Sequence, residues 1–310
     1  LLNRKPIEID NKETKQFLNG KKILVTGGCG SIGSEIIKQL IKLEVSNICI
    51  IDNNEYNLFY LREYLRDKKV KFYLRDINIY NDINIIFKDF TPDIVFHVAA
   101  YKHVPILEDN PYESIKVNIL GTKNIADLSM KYNIKKFIFV STDKAVNPTN
   151  IMGASKRVSE LYVNTLNKHQ KTKYIITRFG NVLGSSGSVV PTFIKQIKNG
   201  KNINLTDENI TRYFMTIPEA AQLVIKSSYI GTYNNILLFD MGQPVKIKNL
   251  ALNLIQYFKS NVGINIIGLR KGEKMYEELY YEKEKVEKTE EPLILKLKSD
   301  TVSTDFINLY

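Results

Sequence analysis

A chain of 310 residues with 44% hydrophobic and 25% charged residues has the make-up of a globular protein, long enough for one two-part domain. No run approaches the ~20 apolar residues that cross a bilayer, and no disulfide framework or metal cluster is expected from Cys29 and Cys49, which sit within apparent core elements. The net charge of +11 comes from 44 Lys and Arg spread along the whole chain; without a basic helix or an arginine–aromatic platform it argues against a nucleic-acid partner.

From the amino end, residues 1–20 are polar, carry one proline and show no clear periodicity, and are read as an arm leading into the folded part. The chain begins at Leu1, so a piece of a longer protein is expected, and residues 1–20 do not read as a basic, apolar leader. KKILVTGG then reads as a short buried strand, and SIGSEIIKQLIKL as a helix with Ile32, Ile36, Ile37, Leu40 and Ile41 at helical spacing. NICIID is a second strand, EYNLFYLREYLR a helix and KVKFYLRD a third strand. A helix from about Tyr80 to Asp89 leads into the strand DIVFHVAA, and a long helix, PYESIKVNILGTKNIADLSMKY, into the strand KKFIFVST. A helix from Ser155 to Asn167 precedes a sixth strand, KYIITRFGN. Such alternation with short connections predicts an α/β fold: a doubly wound parallel sheet of the Rossmann type covered by helices on both faces. Residues 21–180 form its dinucleotide-binding domain. Residues 181–310 are expected to be mainly substrate-binding, with some segments returning to the first core. The run YYEKEKVEKTEE (280–291) reads as a solvated helix or loop.

The first strand–helix turn carries Gly27, Gly30 and Gly33. The first glycine permits a tight turn, the second lets the backbone approach a pyrophosphate, and the third allows close helix–strand packing. Ser31 and Ile32 open the helix whose N-terminus faces the phosphates. Asp52, at the end of the second strand, is placed to bond the adenosine ribose and to repel a 2′-phosphate, and Asn53, Asn54 and Glu55 bring no arginine to hold one. The expected cofactor is therefore NAD rather than NADP. Asp76 and Ile77 are expected to bracket the adenine, with helix capping as the alternative reading of both aspartates. Ala99 and Ala100 let the backbone lie close to the dinucleotide, whereas His97, in the middle of an apolar run, reads as a core histidine.

Six motifs in order, TGGCGSIGSE, AAYKHVP, STDKAVNPTNIMGASK, RFGNVLGSSGSVVP, TRYFM and LRKGEKMYEEL, resemble the extended short-chain dehydrogenases, and within them the polysaccharide-biosynthesis branch of UDP-N-acetylglucosamine 4,6-dehydratases. The segment around NRKP is similar to the part that joins a membrane-spanning region to the catalytic domain in long members. The resemblance thus implies a cytoplasmic enzyme, a homo-oligomer, anchored at the cytoplasmic face of the inner membrane in its full-length form. Ordinary relatives carry Tyr-x-x-x-Lys on the helix after the fifth strand, where the lysine lowers the phenol's pKa. Here that pair is Met152 and Lys156. Methionine accepts no proton, and the resemblance makes it the mark of members that retain configuration at carbon 5; Lys156 still holds the nicotinamide ribose.

By the same resemblance Thr142, Asp143 and Lys144 form the reactive set: Thr142 bonds the 4-hydroxyl, Asp143 is the acid for the 6-hydroxyl, and Lys144 is the base at carbon 5. With tyrosine absent, Asp143 is also a candidate for the first proton. Adjacent Asp and Lys favour each other's charged forms, whereas this chemistry wants a neutral lysine. Lys102 is the better candidate than His103 for substrate contact, and Met152 faces the sugar. Asn181 and the glycine–serine loop after it meet the diphosphate; Arg212, Arg270 and Glu273 hold the nucleotide, arginine for phosphate and glutamate for ribose. The competing readings are a nucleotide-sugar 4-epimerase, an inverting dehydratase and a non-catalytic NAD-binding regulator.

Overall fold

The computed structural model describes residues 12–298. In chain order it comprises α1 (Lys12–Leu18), β1 (Lys22–Thr26), α2 (Ser31–Lys42), β2 (Asn47–Asp52), α3 (Glu55–Leu65), β3 (Val70–Leu74), α4 (Tyr80–Phe90) and β4 (Ile94–His97). There follow α5 (Val104–Asp109), α6 (Pro111–Ser114), a π-helical stretch (Ile115–Gly121), α7 (Thr122–Lys131), β5 (Lys136–Val140), α8 (Ile151–Leu166) and β6 (Lys173–Arg178). The remainder holds β7 (Asn181–Leu183), α9 (Val189–Lys198), β8 (Ile203–Leu205), β9 (Thr211–Arg212), β10 (Phe214–Thr216), α10 (Ile217–Ile230) and β11 (Asn235–Phe239). Last come β12 (Val245–Lys246), α11 (Ile247–Tyr257), β13 (Ile264–Ile266), β14 (Lys285–Lys288) and β15 (Ile294–Lys298).

The central sheet has the order β14-β15-β11-β6-β5-β4-β1-β2-β3, parallel from β3 to β11 and antiparallel at β15 and β14. Ile23, Leu24 and Val25 of β1, Val95 and Phe96 of β4, and Phe137, Ile138 and Phe139 of β5 are fully enclosed, as strands covered on both faces must be. One face packs on Ile36, Ile37 and Leu40 of α2 with Ala220, Leu223 and Val224 of α10. The other packs on Ile83 and Phe87 of α4, Ile125 and Leu128 of α7 and Val163 of α8. A third, smaller core gathers Phe193, Leu205, Ile210, Phe214 and Leu250 beyond the sheet. No described helix is long and apolar enough to cross a membrane.

The structure departs from the sequence reading in four places. Residues 12–18 of the arm form α1, with Leu18 enclosed and Phe17 against the Tyr229 ring; residues 1–11 of that arm lie outside the described part. The residues before the long helix form α5, and α8 begins at Ile151, where the Asn150 side chain accepts the Gly153 N–H at 2.7 Å. The expected solvated run contains the edge strand β14. Cys29 lies in the glycine turn and Cys49 in β2; both are free thiols, and no metal-binding group of side chains occurs among the described residues.

The carboxyl ends of β5 and β6 are tied by buried ion pairs. Arg178, 0% exposed, reaches Glu160 of α8 at 2.8 Å and Glu284, just before β14, at 3.1 Å. Glu160 also accepts the Ser141 hydroxyl at 2.7 Å. Burial would raise the Glu160 carboxyl, but Arg178, Arg157 and the Ser141 hydrogen bond together outweigh it and hold the group below its ordinary range. The Tyr281 hydroxyl adds a bond to the Ala145 carbonyl at 2.9 Å.

Candidate active site

Strand order reverses between β1 and β4, and a cleft of about 1030 Å³ opens at their carboxyl ends, where doubly wound sheets bind ligands. Gly27 sits at φ +65°, and a Cβ on it would lie 2.6 Å from the Ala99 backbone. A Cβ on Gly33 would lie 2.3 Å from the Gly27 carbonyl oxygen. Neither position admits a side chain. Gly30, Ser31 and Ile32 complete the turn at the start of α2, and Ser31 Oγ accepts the Ser186 N–H at 3.1 Å, linking the turn to the loop after β7.

Asp52 accepts the N–H groups of Cys29 at 2.8 Å and Asn54 at 3.0 Å, so it fixes the glycine turn while lining the cleft. Asp76 and Ile77 line the same end, and Asp76 closes its own turn by accepting the Asn78 N–H at 2.9 Å. Arg75 also lines this end, an arginine near Asp52 that the short-range pattern after β2 did not offer; it pairs with Asp82 at 3.4 Å. Ala99 and Ala100 form the floor. His97 is enclosed between the Thr26 and Thr122 hydroxyls at 2.7 and 2.9 Å and lies over the Phe139 ring. Burial pushes its imidazole down to about 3, so it is a neutral core residue.

Lys156 donates to the Val140 carbonyl at 2.6 Å and lies over Phe139. Burial pushes its ammonium down to about 7, with Glu160 opposing. Met152, one turn earlier on α8, is 4% exposed and lines the cleft beside it. Thr142, Asp143 and Lys144 follow β5. The Thr142 hydroxyl donates to Asp143 Oδ1 at 2.9 Å, and Lys144 Nζ donates to the same oxygen at 3.0 Å and to Asn181 Oδ1 at 2.9 Å. Thr142 and Lys144 line the cleft, but Asp143 is completely enclosed, with Oδ2 turned against Gly180. Its carboxylate therefore meets the cleft through the Thr142 hydroxyl.

On the far wall, Lys102 Nζ donates to Ser185 Oγ at 3.3 Å, and burial lowers its ammonium. His103 packs on Gly187, fixing the loop after β7. Arg212 donates to the Thr211, Lys274 and Met275 carbonyls and pairs with Glu273 and Glu277, each at 3.6 Å. Arg270 is exposed at the rim, and its N–H reaches Glu273 at 3.2 Å. Of the residues singled out from sequence, all line this one cleft except Gly33, beneath the turn, and Asp143. Glu277 was missed. It lines the cleft 3.6 Å from Lys144, and only its place inside LRKGEKMYEEL marked it.

A family model described as "Polysaccharide biosynthesis protein" matches residues 23–299. The chain is 43% identical to the capsular polysaccharide biosynthesis protein CapD of Staphylococcus aureus, over 90% of this chain and 48% of that protein. It thus spans about half the length of that relative. It is 36% identical to an inverting UDP-N-acetylglucosamine 4,6-dehydratase of Campylobacter jejuni, over 84% of this chain and 78% of that one. A UDP-glucose 4-epimerase of Rickettsia bellii is 38% identical over 84% and 77% of the two chains. Among solved structures, Pen from Bacillus thuringiensis superposes with a TM-score of 0.87 at 33% identity, over 92% of each chain.

Proposed function

Because this chain belongs to the polysaccharide biosynthesis protein family, we propose that it is a UDP-N-acetylglucosamine 4,6-dehydratase that retains configuration at carbon 5. The observation that carries the reading is the Thr142–Asp143–Lys144 hydrogen-bonded set at the rim of β5, beside a helix that presents Met152 where a phenol would stand.

The turn from Gly27 to Gly33, with no room for a Cβ at either of these two glycines, and Asp52 fit NAD, which when bound takes a hydride from carbon 4 and returns it to carbon 6. Lys156 holds the nicotinamide ribose. The Thr142 hydroxyl accepts the proton of the 4-hydroxyl while passing its own to Asp143 Oδ1, so the enclosed carboxylate works through a hydroxyl relay. The same path, reversed, protonates the departing 6-hydroxyl. Lys144 removes the proton from carbon 5 and returns one to the same face, which supports retention. Arg212 and Arg270 hold the diphosphate together with Asn181 and the loop after it, Glu273 the uridine ribose, and Lys102 the sugar end.

Incubation with UDP-N-acetylglucosamine tests this directly. We expect a product lighter by one water, with carbon 5 unchanged in configuration by proton NMR. An isomer of unchanged mass would make the protein an epimerase, a reading the absence of a phenol at Met152 counts against. Gly33→Ala should weaken NAD binding by at least about tenfold, or ~1.4 kcal/mol, in a calorimetric titration. The Gly27 carbonyl must move to admit the methyl group, and it anchors the phosphate turn. Unchanged affinity would show that the turn is not the cofactor cradle.

A further inference from the structure

Lys144 stands between two enclosed carboxylates. Its Nζ is 3.0 Å from Asp143 Oδ1 and 3.6 Å from Glu277 Oε1, and the Asp143 and Glu277 side chains are 0% and 4% exposed. Burial alone would lower the lysine's ammonium, but Asp143 and Glu277 more than offset it and hold the group above its ordinary value. A lysine that removes the carbon 5 proton must be neutral, so its own proton has to go elsewhere first.

The two neighbouring carboxylates are not equivalent. Asp143 Oδ1 already takes the Thr142 hydroxyl and Lys144; its Oδ2, like one oxygen of Glu277, has no hydrogen-bond partner, but it is shut against Gly180 and away from the cleft. Glu277 lines the cleft. Its Oε1 touches Lys144 and Arg212, each at 3.6 Å, while its Oε2 is buried with no hydrogen-bond partner. A buried polar atom left unpaired costs about 1–3 kcal/mol, and here it marks a site able to receive a proton. The charged groups facing Glu277 are Lys144 from the end of β5 and Arg212 from β9. Beyond these, Asp143 is paired to the lysine and Glu273 to the arginine.

We infer that Glu277 takes the ammonium proton of Lys144 when the substrate's diphosphate engages Arg212, and so sets the lysine free to act as the base. The inference rests on the dehydratase reading above. A diphosphate at Arg212 brings negative charge beside Glu277, and like charges in one site favour neutralising one of them. The proton passes from the Lys144 ammonium to the Glu277 carboxylate, leaving an amine and a carboxylic acid. The amine takes the carbon 5 proton, the C–H pair becomes the carbon 5–carbon 6 double bond, and the C–O pair leaves with the 6-oxygen, which is protonated from Asp143 through Thr142. Lys144 then returns a proton to carbon 5, and Glu277 gives its proton back to the amine as product leaves. Glu277 acts through Lys144 and is a positioning residue for its proton.

Glu277→Gln and Glu277→Asp test this, with UDP-N-acetylglucosamine as substrate. In E277Q, kcat should fall about 10²–10³-fold, while KM should not rise more than about threefold, because the change removes a negative charge that opposes the diphosphate at Arg212. The residual kcat of E277Q should climb about tenfold per pH unit between about pH 7 and 9, as solvent strips the lysine's proton; the wild type should be flat there. E277D, which keeps an acceptor, should recover activity over E277Q and lose the slope. Turnover by E277Q within about threefold of wild type, a loss carried by KM, a residual rate indifferent to pH, or an Asp variant as inactive as the Gln variant would each overturn the inference. If E277Q does not fold, the slope of E277D decides alone, a steep one counting against. If the wild type releases no water from the substrate, the reading of the reaction has failed, independently of Glu277.

Discussion

Replacing Lys144 with alanine is expected to abolish dehydration, lowering kcat by about 10⁴-fold, the upper range for a general base. NAD should stay bound. Lys144 touches Asp143, Asn181 and Glu277 but none of the residues of the glycine turn, so its loss leaves the dinucleotide's contacts intact. Lys144→Arg should be nearly as inactive, because a guanidinium keeps the positive charge but does not become neutral in a protein. The product is followed by mass spectrometry and the released cofactor by its absorbance. Near-normal turnover by either variant contradicts the assignment of the base.

The largest expected effect on stability comes from Arg178→Met. The change leaves Glu160 and Glu284 enclosed without their shared cation, and breaking a buried ion pair from one side costs about 3–5 kcal/mol. Denaturant unfolding should show it as a lower midpoint with an unchanged slope. Arg157, 3.0 Å from Glu160, compensates only in part, since it does not reach Glu284 among the contacts described. A loss under about 1 kcal/mol would mean that the carboxylates are protonated or hydrated once the arginine is gone.

The inner parallel strands β1, β2, β4 and β5 are legible in the sequence because they are covered on both faces and so read as apolar runs. The glycine turn is legible because backbone crowding at Gly27 and Gly33 leaves only glycine. The edge strand β14 is not: its Lys285, Glu287 and Lys288 have the look of a solvated segment, and its strand character comes from backbone pairing with β15. Charges on such an edge also deter further pairing. Helix α1 escaped notice for want of length, with seven residues and a burial pattern set by α10 rather than by its own periodicity. At the site, local spacing brings Thr142, Asp143 and Lys144 together, but the approach of Glu277 from more than 130 positions away depends on how the segment before β14 folds back. Nor does proximity in sequence disclose that Asp143 is sealed while its two neighbours are open.

The wider turn over Ile115–Gly121 admits one more residue than a regular α-helix would, and rotates α7 by about 100° relative to α6. That rotation lets Asn118 accept the Tyr101 N–H, return a bond to the Tyr101 carbonyl and reach Ser155 on α8. A helical wheel drawn through residues 111–131 at constant pitch would consequently misplace one half of the segment. Excising a single residue there would leave a more regular helix that has let go of the loop carrying Lys102.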